Sequence, residues 1–179
     1  HNARLLGGFT FRFPSQTVNI IGATGSWRGA ANRWSMIDFR HGAPGGITLR
    51  WENLGPEVCG VALRAQQNGR IQYCEIYVNV YHDWMGGGTT EETITHEVGH
   101  CIGFSGHHNA GGLMNAHAAG SWISAPVNNM FHLLYSLPPA TDIRSELSNR
   151  LGNTFQESDV PVKPPSRLIV TRHVLPAKR

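Results

Sequence analysis

His96-Glu97-Val98-Gly99-His100-Cys101-Ile102-Gly103 has the form H-E-x-x-H-x-x-G, and the rest of the chain is read outward from it. Two histidines four apart on a helix share one face, so both imidazoles can reach a single Zn²⁺. Glu97 sits beside them, placed to act as a base toward water without ligating the metal. Hydrolysis at neutral pH needs a nucleophile activated in this way. Gly103 is expected to stop the helix and turn the chain back over the metal.

The residues that follow are Phe104-Ser105-Gly106-His107-His108, then Gly111-Gly112-Leu113-Met114-Asn115-Ala116-His117. Two helix histidines alone leave zinc under-coordinated, so a third ligand is expected from this stretch. His107 is the first candidate, His108 the alternative and His117 an outside one.

Over residues 89–117 the chain resembles the metzincin clan of zinc endopeptidases, whose pattern is H-E-x-x-H-x-x-G-x-x-H followed by a Met-turn. The resemblance implies that His96 and His100 are ligands of one catalytic zinc, that Glu97 is the general base, and that Met114 is the Met-turn residue beneath the metal. There is one departure. The third histidine of the pattern falls on Gly106, and a one-residue insertion in the loop after Gly103 would bring His107 to the metal. Some metzincins carry a switchable tyrosine ligand two residues after the methionine; here Ala116 stands there, and His117 is a candidate stabiliser of the reaction intermediate.

The resemblance also implies an α+β catalytic domain: a twisted, mostly parallel sheet with an antiparallel edge strand, an active-site helix, a Met-turn and a C-terminal helix. In that clan an edge strand takes up substrate as an added strand, and the segment Ile71 to Val80 is expected nearest the cleft. The implied activity is zinc-dependent endopeptidase hydrolysis of protein or peptide substrates. Two other readings compete. One is a zinc peptidase whose third ligand is a distant acid, Glu146 or Glu157. The other is a zinc-stabilised binding module without catalysis, against which the intact Glu97 speaks.

A coarse pass along the chain gives a compatible order of elements. Phe9 to Phe13 alternates and reads as a strand, and Ser26 to Ile37 carries a helical apolar stripe. Ile47 to Trp51 reads as a second strand. Val61 to Ala65 and Ile71 to Val80 read as a hairpin about Asn68-Gly69. Thr89 to Phe104 is the metal helix, with Glu91 and Glu92 in its first turn where the dipole favours acids. Asn128 to Leu137 is a closing helix stopped by Pro138-Pro139, and residues 141–151 are expected to add a short helix.

The 179 residues make one domain with room for a sizeable core. Residues 1–159 are expected to form the catalytic domain. Residues 160–179 carry Lys163, Arg167, Arg172, Lys178 and Arg179 with no acid, and read as a basic, proline-containing tail or linker. That tail has no aromatic side chain for base stacking, so no nucleic-acid partner is expected. No run approaches a transmembrane length and no signal peptide is visible. A secreted, monomeric protein is expected. Asp38, Asp83, Asp142 and Asp159 are too scattered to define a Ca²⁺ site, although calcium is common among secreted metzincins.

Of the three cysteines, Cys59 and Cys74 flank the proposed hairpin and are expected to form a disulfide, given a bulge. Cys101 points about 100° away from His100 on the helix and is expected to be a small core residue. His1, His41, His82, His132 and His173 have no companion at ligand spacing and read as structural or solvated. Gly86-Gly87-Gly88 lacks the Lys-Ser/Thr of a phosphate loop and reads as a turn. The Met-turn and Ala118 to Asn129 are expected to wall the specificity pocket.

Overall fold

The computed structural model describes residues 10–22, 27–42, 46–81, 89–107, 111–116, 122–141 and 167–177. The chain runs β1 (Thr17–Gly22), α1 (Trp27–Asn32), β2 (Asp38–His41), β3 (Ile47–Glu52), β4 (Val58–Gln67), β5 (Arg70–Asn79), α2 (Thr90–Cys101), α3 (Ala125–Ser136) and β6 (Ile169–Pro176). The strands form one six-stranded mixed sheet in the order β2-β1-β3-β5-β4-β6. Pairings β1–β2, β1–β3 and β3–β5 are parallel. At the other margin β4 runs antiparallel to both β5 and β6. The architecture is thus α+β with a mostly parallel sheet and an antiparallel margin.

The β4–β5 hairpin turns at Asn68-Gly69, whose φ values of 50° and 72° suit the tight turn that matches strand twist. A register shift at Ala65/Gln66 marks a bulge in the hairpin near its turn. Inward residues Cys74, Ile76 and Val78 face α2, which presents Ile94, Val98 and Cys101, all fully buried. Those helix positions are i, i+4 and i+7, one stripe of a 3.6-residue period. Burial of each such aliphatic side chain contributes roughly 1.5–3 kcal/mol. Trp34, Phe104 and Phe131 close the same core, with the Trp34 and Phe131 rings edge to face at 4.7 Å.

Helix α2 begins where the sequence dictates. Thr89 caps it, accepting from the Glu92 N–H at 3.2 Å, while Glu92 accepts from the Thr89 N–H at 2.9 Å. This reciprocal capping box satisfies two otherwise orphaned donors.

Several expectations are corrected. The disulfide joins Cys74 to Cys101, with Cα atoms 5.5 Å apart, and Cys59 is a buried thiol packed on Leu175. Cys74 stands opposite Arg64 on β4, whereas Cys59 adjoins Gly60, opposite Val78. At ~3.4 Å per residue, Cys59 and Cys74 are separated by roughly 17 Å along the strand, far beyond disulfide reach. Cys74 and Cys101 instead lie on facing surfaces of sheet and helix.

The segment 160–179 is not a linker throughout: residues 169–176 form β6 and pair along β4 from Val58 to Gln66. Ile71 to Val80 is not nearest an open edge, because β5 is hydrogen-bonded on both sides, to β3 and β4. Phe9 to Phe13 is not a strand in its described part. It makes a single parallel bridge, Arg12 to Arg70, at the start of β5. The helix expected to reach Ile37 ends at Asn32, and Asp38–His41 pairs with β1 instead. Strand β1 was missed; its alternation is only two buried residues long, Val18 and Ile20. The helix proposed over 141–151 lies outside the described residues after Thr141.

Candidate metal centre

Helix α2 places His96 and His100 one turn apart on one face, and the flanking chain fixes their rings. The His96 Nδ1 hydrogen bonds to the carbonyl of Leu113, one residue before Met114. The His100 Nδ1 lies 3.0 Å from the Phe104 carbonyl. A carbonyl only accepts, so each Nδ1 carries the proton and each Nε2 is left with a lone pair. Those two Nε2 atoms face one another at 3.0 Å, and the His96 Nε2 lies 3.2 Å from the Nε2 of His107. Two acceptor lone pairs held at this distance cannot bond each other; a cation between them resolves the clash. Nitrogens at 2.0–2.1 Å around a tetrahedral ion stand about 3.3 Å apart, close to the spacing observed.

His96, His100 and His107 are thus brought together, with ligand atoms all within 4.8 Å of one another, and the group could hold a metal ion. The longer spacing to the third histidine has a local cause. Gly106 sits at φ 86° with open space around it, a left-handed conformation that redirects the loop and delivers the next residue, His107. His108 and His117 lie outside the described residues.

Glu97 is fully buried between the two helix histidines, and neither carboxyl oxygen has a hydrogen-bond partner among the described residues. Its Oε1 packs against Gly60 of β4, where an added Cβ would come within 2.9 Å of it. A buried carboxyl without donors is costly unless a cation or water completes it. Three imidazoles converging on one point make a donor set that suits a divalent metal ion.

Met114 is buried against α2 at Gly99. At Gly99, between the two helix ligand candidates, an added Cβ would lie 2.6 Å from the Met114 Sδ and 2.7 Å from Trp34. The helix can approach the methionine only because residue 99 has no side chain.

Electrostatics follow from burial. Desolvation pushes His96 down to about 4 and His100 well below its ordinary value, which keeps both imidazoles neutral and competent as ligands. The same desolvation raises Glu97 well above the usual carboxylate range.

Two residues near the site escaped the sequence reading. His173, expected to be structural or solvated, is buried on β6 and stacks on His100 with ring centroids 4.3 Å apart and planes 8° from parallel. Its Nε2 has no partner among the described residues. The alternation Thr171, His173, Leu175 in an apolar run was the available signal. Arg64 is buried in β4 and donates to the carbonyls of His100 and Phe104 and to the Ser105 hydroxyl. Nothing local in the sequence announces this role. Glu146 and Glu157, the distant acids of the competing reading, lie outside the described residues. No helix among the described residues is long and apolar enough to cross a membrane.

No protein-family model matches this chain, and a search of curated proteins finds no match.

Proposed function

We propose that this protein is a zinc endopeptidase of metzincin type, acting on protein or peptide substrates in an oxidising, extracellular setting. The observation that carries the reading is the convergence of three histidine nitrogens, with a buried, unpartnered Glu97 next to His96 in the same helix. When bound, a zinc ion would supply Lewis-acid polarisation of the scissile carbonyl and lower the pKa of a water. His96, His100 and His107 are the residues that would hold it, leaving one position open. Met114 packs under the helix between the ligand pair and fixes their height. Glu97 does the proton work. Its carboxylate takes a proton from the attacking water and passes it to the departing amine nitrogen. Burial raises the Glu97 pKa, and its ionised form would be favoured by a cation held on the three histidines. The disulfide Cys74–Cys101 fits the oxidising compartment.

The test is metal analysis and turnover of an unfolded protein substrate by the zinc-loaded chain, with and without chelator, alongside Glu97→Gln. The expected result is chelator-sensitive hydrolysis, with Glu97→Gln keeping zinc and losing roughly 10²–10⁴-fold in turnover. Hydrolysis by Glu97→Gln at the wild-type rate would assign the base elsewhere. Zinc binding without hydrolysis in any form would favour the second reading, a zinc-stabilised binding module. That reading draws on one observation: His96, Glu97 and His100 are fully buried.

A further inference from the structure

Strand β6 lies along the outer edge of β4, beside the three-histidine group. β4 has two edges. One is taken by its hairpin partner β5, and the other by β6, contributed from about a hundred residues later in the chain. The β6 register sets His173 opposite Ala62 and Leu175 opposite Gly60. Gly60 is the residue against which Glu97 packs, and His173 stacks directly on His100. The outer edge of β4 therefore runs alongside the three-histidine group, and β6 is the element that covers it.

Few side chains of β6 are fully buried. Val170 and Arg172 are exposed, and Ile169 and Thr171 are half-buried. Its buried anchors are His173 over His100 and Leu175 against Cys59, in a small cluster separate from the main core. The remainder is half-buried Val174 and Pro176, one Gln66–Thr171 side-chain bond, and ladder hydrogen bonding, which any extended chain can reproduce on a strand edge.

We propose that β6 is a displaceable, intramolecular occupant of the β4 edge that keeps an extended peptide away from the metal centre. Access to the site requires the strand to peel off. A peptide taking its place runs antiparallel to β4 and sets an apolar side chain where Leu175 meets Cys59. The inference rests on the peptidase reading for the identity of the excluded peptide as substrate.

The experiment uses the full chain in three forms: wild type, a lock, and a release. The lock is the double variant Leu63→Cys/Arg172→Cys, a directly opposed pair on β4 and β6, oxidised and verified by mass spectrometry. The release is Leu175→Asp, which sets a charge in a buried position. The first readout is independent of metal and turnover: anisotropy of a labelled synthetic peptide with the sequence of residues 168–177. At least tenfold tighter binding to the released chain than to the locked one is expected. Equal binding by both overturns the proposal. The second readout is hydrolysis of an unfolded protein chain at equal zinc content, expected to rise at least tenfold from locked to wild type or from wild type to released. Equal turnover in the locked, wild-type and released chains also overturns it. If Leu175→Asp fails to fold, the locked and wild-type chains decide alone. Peptide discrimination with no turnover in any zinc-loaded form removes the peptidase reading and leaves β6 established as a displaceable strand.

Discussion

The guanidinium of Arg64 donates to the backbone carbonyl of His100 at 2.8 Å, from the middle of β4 to the last turn of α2. Further bonds reach the Phe104 carbonyl at 3.3 Å and the Ser105 hydroxyl at 2.7 Å. A fully buried cation is therefore satisfied by the negative end of a helix and by the loop that leads to His107. Burial lowers its pKa to about 10, still charged at neutral pH.

Arg64→Ala is expected to destabilise the chain by about 2–4 kcal/mol, because it strips donors from buried carbonyls and opens a void. It should also weaken zinc binding, since the loop carrying His107 loses its tether. Urea denaturation and competition with a zinc chelator measure the two effects. A stable variant with unchanged zinc affinity would show that Ser105 to His107 is held by other contacts.

Removing the disulfide by Cys74→Ala/Cys101→Ala is expected to cost about 3.5 kcal/mol, from the closure entropy of the 27-residue loop it spans. Thermal denaturation of oxidised wild type against the double variant checks this. Peptide mapping of the non-reduced digest should recover the Cys74–Cys101 pair; a Cys59–Cys74 bridge would contradict the β4–β5 register.

Gly99→Ala is expected to cost about 1–3 kcal/mol by overpacking, since its Cβ would meet both the Met114 sulfur and the Trp34 ring. Met114 can move and the ring cannot, so the helix should shift and zinc affinity fall. Gly99→Ala combined with Met114→Ala should recover part of the stability. No recovery would place the clash on Trp34 alone.

The chelated chain is expected to lose stability as pH falls below about 6.5. Burial holds His96 near 4, His173 near 3 and His100 well below 6.5, so the unfolded chain takes up protons that the folded chain refuses. Their contribution is complete above the unfolded value and declines as pH falls from 6.5 toward 4. Glu97 acts in the opposite sense, because its raised pKa favours the folded state at low pH and that contribution fades as pH rises above 4.5. Three imidazoles outweigh one carboxyl, a net uptake of about two protons on unfolding near pH 5, each worth roughly 1.4 kcal/mol per pH unit. Urea midpoints at pH 5, 6 and 7 in the presence of chelator should rise with pH. A flat profile would mean that these histidines are hydrated in the metal-free chain.

What the sequence by itself determined is local. The i, i+4 spacing sets His96 and His100 on one face of a helix whatever the rest of the chain does, and Thr89 with Glu92 fixes where that helix starts. The Asn68-Gly69 pair fixes the hairpin, because its two positive φ angles match strand twist. What only the tertiary structure decided are contacts between distant segments. Cys101 chose Cys74 over Cys59 because α2 packs its Ile94, Val98, Cys101 stripe on the inner face of β5. His107 rather than a residue one position earlier meets His96 because Gly106 turns the loop. His173 and Arg64 reached the centre through β6 and β4, whose partners along the sheet are set by register and by the core they share. Periodicity reports which face of an element is apolar; it carries no information about which other face will cover it.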